Sequence, residues 1–148
     1  MTFRVTLLAP LVLLAGCSDG GDDGEAASMA APVSLPAPYD TADLANGKRV
    51  FAQCRSCHTV ADGGPNLVGP NLHGLFERRI GTRPGYTYSA AAKAAGFQWE
   101  PARLDQWLAD PRGFLPGTKM AFAGVKDPAG RRDVIAYLLV ETKAPAAR

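Results

Sequence analysis

The chain has 148 residues, 47% apolar and 20% charged, which excludes a disordered polar chain and leaves room for one modest domain with no sign of a second. The formal charge of +2 is uneven. Asp19, Asp22, Asp23, Glu25 and Asp40 precede residue 41, while residues 41–148 carry 15 basic against 9 acidic residues, a net of +6; no reading motif accompanies that charge, so nucleic-acid binding is not expected.

In chain order, the first element is a targeting segment. Arg4 supplies a positive start, Val5 to Ala15 is an apolar run interrupted by Pro10, and the run ends in "LLAGC". These 11 residues fall short of the roughly 20 that a membrane-spanning helix requires. The segment resembles a bacterial lipoprotein signal, which implies that residues 1–16 are removed and that Cys17 carries the lipids. The alternatives are an ordinary signal peptide cut nearby and an uncleaved anchor. Ser18 to Asp40 is Gly-, Asp-, Ala-, Ser- and Pro-rich, with little to bury, so residues 17–40 are expected to be a lipidated cysteine and a flexible acidic tether. A coil of that length spans about 25 to 30 Å. Residues 41–148 are left as the folded domain.

The domain opens with a helical pattern. Leu44, Gly47, Phe51 and Cys54 fall on one face, with Asp40 or Thr41 available as a cap. The pattern runs into "FAQCRSCHTV". A thioredoxin-like use of Cys54 and Cys57 would need a strand-helix-strand setting that the flanking helical and loop segments do not offer. A structural zinc site would need Cys54, Cys57, His58 and His73, at an odd separation. Cys-X-X-Cys-His is the attachment signature of c-type haem: the thiols of Cys54 and Cys57 form thioethers to the vinyl groups, and His58 binds the iron from one face.

Further along, a helix is expected from Pro101 to before Pro111, with Leu104, Trp107 and Leu108 inward. Between it and the last helix lies "LPGTKMAF". Met1 and Met29 lie in the signal and the tether, so Met120 is by elimination the candidate distal ligand. Two alternatives stay open: Met120 fills a gap in the core, or His73 binds instead. The last helix takes Asp127 as N-cap and Pro128 in its first turn, with Val134, Ile135, Leu138 and Leu139 as its apolar stripe. No run of alternating strand residues is present, so an all-α domain is expected.

The runs "GPNLHGLF", "PGYTYSAA", "PGTKMAFAG" and "IAYL" resemble the mitochondrial-type class I cytochromes c, in order and spacing, from about Asp43 to Glu141. The resemblance implies the class I cytochrome c fold around one haem, with the first and last helices crossing where Gly47 approaches Val134 and Tyr137. It implies that the Pro70 carbonyl holds the His58 imidazole, that Arg78, Tyr88, Trp99 and Thr118 lie near the haem propionates, and that Phe122 covers the exposed haem edge. His73 is then a surface residue rather than a ligand. Three departures stand out. Ala92 and Trp107 replace a usual asparagine and tyrosine, with consequences for haem tuning, and one residue fewer separates Phe51 from Cys54, which suggests a bacterial branch.

With His58 and Met120 both bound, no position on the iron remains for a substrate, so an electron carrier rather than an enzyme is expected. The resemblance implies a quinol-oxidising cytochrome complex as donor and a terminal oxidase or photosynthetic reaction centre as acceptor, the protein being a monomer. Arg55, Arg112, Lys119 and Lys126 are candidates for steering an acidic docking face; a generally solvated basic surface is the alternative. The location expected is periplasmic, held to a bacterial membrane by Cys17. The inner membrane suits the function, whereas Ser18 resembles the pattern that sends lipoproteins to the outer one. Two other functions are open at this level: a small haem peroxidase, if the Met120 bond is weak, and the electron-accepting subunit of a periplasmic dehydrogenase.

Overall fold

A computed structural model describes residues 34–143; the targeting segment, Cys17, most of the tether and residues 144–148 lie outside the described residues. Helix α1 (Leu44–Phe51) begins at Asp43, whose carboxylate accepts from the Asn46 N–H at 2.9 Å. The expected caps, Asp40 and Thr41, belong instead to a separate 3-10 turn, Tyr39–Thr41, from which the extended Ala42 divides the helix. Helix α2 (Ala90–Ala95) was not anticipated; Ser89 caps it through the Ala92 N–H.

Helix α3 (Pro101–Ala109) has the expected bounds and buries Leu104, Trp107 and Leu108. Asp110 then caps a second unanticipated helix, α4 (Pro111–Phe114), by accepting from the Gly113 N–H. Helix α5 (Pro128–Glu141) starts as expected, with the Asp127 carboxylate accepting from the N–H groups of Ala129 and Gly130. Its Val134, Ile135 and Leu138 are buried, while Leu139 is half-buried. Among the described residues the only extended pairing is an isolated antiparallel bridge between Arg79 and Gln98. The domain is all-α, as expected.

The most extensive helix contact is between α1 and α5. It depends on Gly47: a Cβ there would lie 2.1 Å from the Asp133 carbonyl oxygen and 2.9 Å from Tyr137 Cβ. The nearest atoms belong to the Asp133 carbonyl, joined directly to Val134, and to the Tyr137 side chain, while Val134 also lines the central cavity. Phe51 packs on Tyr137 at 5.4 Å between ring centroids. Leu44, expected to face inward, is 40% exposed, because its end of the interface is polar. There the buried Asp133 carboxylate accepts from the Asp43 N–H at 3.2 Å, the Asn46 amide at 2.8 Å and Arg132 at 3.0 Å. Burial alone would raise the Asp133 carboxyl, but the hydrogen bonds from Asn46, Arg132 and Asp43, with the Arg132 charge, outweigh it and hold the group below its ordinary value.

The folded body also begins earlier than expected. Tyr39, assigned to the tether from the sequence, is buried in the core, Leu35 packs against that core, and the 3-10 turn rests on α5. Tyr39 and Leu35 supply the apolar contacts that hold this stretch to the core.

Two outcomes are expected. Gly47→Ala gains up to about 1 kcal/mol of helix propensity, but the new methyl meets backbone that cannot step aside, so chemical denaturation should show a net loss of about 1–3 kcal/mol. The Asp133 carboxyl is depressed in the fold, so its stabilisation is complete above its unfolded value near ~3.9 and is lost as pH falls through the lower folded value. Stability measured between neutral pH and pH 3 should therefore decline less steeply in Asp133→Asn than in the parent protein.

Candidate functional site

Helix α1 ends at Phe51, and the chain continues as tight turns. Cys54 N–H donates to the Phe51 carbonyl at 2.8 Å, and the Cys54 carbonyl accepts from the N–H groups of both Cys57 (3.0 Å) and His58 (2.9 Å). This winding brings Cys54, Cys57 and His58 to the wall of one cavity of about 350 Å³. Both thiols are free. Burial, with a contribution from neighbouring Cys57, pushes the Cys54 thiol up to about 11, which disfavours a free thiolate as a redox nucleophile.

The imidazole of His58 is held in place by backbone. Its Nδ1 lies 2.7 Å from the Pro70 carbonyl oxygen, which fixes Nδ1 as the protonated nitrogen and leaves Nε2 with a free lone pair. Burial lowers the imidazole below its ordinary value, and the Pro70 contact opposes part of that shift, so the ring stays neutral and ready to bind a metal. Gly69 makes the fit possible, since a Cβ there would lie 2.3 Å from His58 Cε1.

A network not foreseen from the sequence holds the Pro70 segment. Asn71, fully buried, donates from its amide to Thr59 Oγ1 at 2.6 Å and the Ala61 carbonyl at 2.9 Å, and accepts from the His73 N–H at 3.0 Å. Its own N–H donates to Asn66 Oδ1 at 2.9 Å, and Asn66 donates in turn to the Pro84 carbonyl. The only sequence signal for this hub was an asparagine after the proline that holds the ring.

The cavity collects every residue expected around the cofactor. Besides Cys54, Cys57, His58 and Pro70, it is lined by Arg78, Tyr88, Trp99, Thr118, Met120 and Phe122, and by Ala92 and Trp107. Met120 reaches it from the loop after α4, its N–H donating to Thr118 Oγ1 at 3.2 Å. Trp99 stacks edge-on against Phe97 at 5.1 Å and Trp107 at 5.5 Å, and Phe114 closes this ring of four aromatics. Arg78 donates to the Asn71 carbonyl at 2.7 Å and also to the His73 carbonyl, so it braces the proximal loop as well as facing the cavity. Tyr86, not foreseen, lines the wall, donates to the Val68 carbonyl at 2.8 Å and stacks on Tyr88 at 4.8 Å.

His73 does not line the cavity, as expected, but it is not a surface residue. Its side chain is 14% exposed, and Nε2 lies 3.6 Å from an Asp62 carboxylate oxygen. Among the described residues, no three His, Cys, Asp or Glu side chains gather as a metal cluster, so His73 does not join the motif in a zinc site. Of the expected docking residues, Lys119 lines the cavity mouth, and its ammonium donates to the Thr87 carbonyl at 3.0 Å. Arg112 shares a shallow depression with Phe122. Lys126 donates to the Ala109 carbonyl at 2.9 Å, and Arg55 is exposed beside Cys54.

The donor set suits a haem. Two thiols and an imidazole come from one turn, a thioether comes from a separate loop, and the remaining lining is mainly apolar, with Arg78 and Tyr88 as polar groups that a carboxylated edge requires.

The cytochrome c family model matches residues 44–140. The chain is 46% identical over 101 residues to a cytochrome c of Nigella damascena, covering 68% of this chain and 91% of that protein. It is 41% identical over 110 residues to a cytochrome c of Kluyveromyces lactis, covering 74% and 100%. A cytochrome c2 of Blastochloris viridis is 46% identical over 102 residues, covering 69% and 80%.

Gly69→Ala is expected to push the His58 ring off the Pro70 carbonyl. Holoprotein yield should fall, and what forms should lose low-spin character in its optical spectrum; a variant with parental yield and spectrum would show that the close approach is not required.

Proposed function

The chain belongs to the cytochrome c family of haem-bearing electron carriers, and from that premise we propose that it is a monomeric shuttle, lipid-anchored at Cys17 to a bacterial membrane and working in the periplasm. It takes electrons from a quinol-oxidising cytochrome complex and gives them to a terminal oxidase or a photosynthetic reaction centre. The observation that carries the reading is a single cavity lined by both His58 and Met120, reached from two separate segments.

When bound, haem c supplies a one-electron ferric–ferrous couple, which methionine ligation shifts toward the reduced state. The residues of this chain do the rest. Cys54 and Cys57 would hold the group covalently, His58 would offer Nε2 and Met120 would offer sulfur, a donor set suited to electron transfer rather than to binding a substrate. Phe122, half-buried in the cavity lining, would cover the edge of the bound group on the side where a partner docks. With His58 and Met120 both retained as ligands, reorganisation on electron transfer would be small.

Support for the anchor comes from "LLAGC" and the acidic stretch behind it. Among the described residues no helix is long and apolar enough to cross a membrane. The inner membrane suits this traffic best. Arg112 shares a depression with Phe122 and Lys119 lines the cavity with it; together with Lys126 and Arg55 they steer an acidic partner face.

Met120→Ala holoprotein is expected to lose the weak long-wavelength band that reports sulfur on ferric haem and to turn over peroxide, which the parent does not. Parental turnover of peroxide would favour the peroxidase reading. Electron transfer to an acidic partner should slow as ionic strength rises, because exposed charges are screened beyond about 10 Å at 0.1 M salt; a flat dependence would remove the four cations from docking. Mass spectrometry of the mature N-terminus should find a lipidated Cys17.

A further inference from the structure

We propose that Asp105 and Arg131 are positioning residues for Met120, acting through the segment that follows it. The inference rests on the reading of Met120 as a ligand. Upstream, the loop is held by the Met120 N–H on Thr118 Oγ1 and by the Lys119 ammonium on the Thr87 carbonyl at 3.0 Å. Downstream, Ala121, Phe122 and Ala123 make no hydrogen bond among the described residues, and the next fastening is at Val125 and Lys126.

That fastening is double. Toward α3, the Val125 N–H donates to the Leu108 carbonyl at 2.7 Å and the Lys126 ammonium to the Ala109 carbonyl at 2.9 Å. Toward α5, one nitrogen of Arg131 donates to the carbonyls of both Val125 (3.0 Å) and Lys126 (3.1 Å), while its Nε donates to Asp105 of α3 at 2.8 Å. The Arg131 side chain is 13% exposed, so its guanidinium is a largely dry fork joining two helices and the loop. A lysine cannot reproduce that fork.

The consequence is energetic. An added ligand reaches the metal only while the methionine loop is open, and its apparent affinity scales with the open fraction. A fastening that holds Val125 and Lys126 against both helices lowers that fraction without touching the metal. Loss of Asp105 frees one arm of the fork, whereas loss of the Arg131 guanidinium frees all of them.

The test is a titration of ferric holoprotein with imidazole, followed by loss of the sulfur-to-iron band, with denaturation midpoints measured on the same samples. In Asp105→Ala the half-saturating imidazole concentration should fall about two- to fivefold, the size of a partly exposed ion pair. In Arg131→Gln it should fall by about tenfold, since two carbonyl contacts are lost as well, and Arg131→Lys should lie between. Asp62→Asn, which breaks the pair with His73, should leave it unchanged. If the Asp105 and Arg131 variants lower the denaturation midpoint but keep the parental imidazole response, the pair serves stability alone and the proposal falls. If the parent itself lacks the band, Met120 is not a ligand and the proposal falls with that reading.

Discussion

The close approach of α1 and α5 at Gly47 is the constraint on which the rest of the domain depends. With the Asp133 carbonyl where a side chain would otherwise sit, the two helices share backbone-to-backbone contact, and the remaining chain can wrap as loop without losing its frame. The buried carboxylate of Asp133 adds a directional element, because it gathers the start of α1 and its own neighbour Arg132 onto one point. From that frame two excursions leave. One carries Cys54 to His58 straight off the end of α1; the other leads through α3 and α4 to Met120 and returns by way of Asp127 to α5. Joining α1 to α5 thus fixes the origin of the proximal segment and the end of the distal one.

The proximal side is rigid for a reason that can be named atom by atom. The Pro70 carbonyl needs a defined direction to hold Nδ1 of His58, and the Asn71 hub supplies it by tying the next residue to Thr59, Ala61, Asn66 and His73. A buried asparagine with all its partners present is costly to disturb, so the ring orientation is over-determined. The distal side is built differently, with fastenings on either flank of Met120 and a short stretch at Ala121 to Ala123 that is held by neither. This asymmetry makes the methionine the ligand whose hold can be adjusted by residues remote from the metal.

How much of this was legible in the sequence depended on the kind of signal. Cys54, Cys57 and His58 were legible because the motif is local and its five positions together point to haem attachment once the redox and zinc uses are set aside. The bounds of α3 and α5 were legible because Pro101, Pro111, Asp127 and Pro128 mark ends whichever way the helix packs. The cap of α1 was not, since Asp40, Thr41 and Asp43 are all competent and only the extended Ala42 decides among them. Helices α2 and α4 are too short for periodicity to register. Tyr39 owes its burial to core residues distant in sequence, whereas Asn71 is buried and His73 half-buried by the way an irregular loop turns on itself, which no periodic pattern announces. Leu44 failed in the opposite sense, an apolar residue left outside because Asp133 claimed the interface.

The central claim is that His58 and Met120 together close the iron of an electron carrier. Exposing the reduced holoprotein to carbon monoxide tests it most directly. The account predicts an unchanged ferrous low-spin c-type spectrum at neutral pH, because no position is open to the gas. Rapid and complete formation of a carbonyl complex would contradict it.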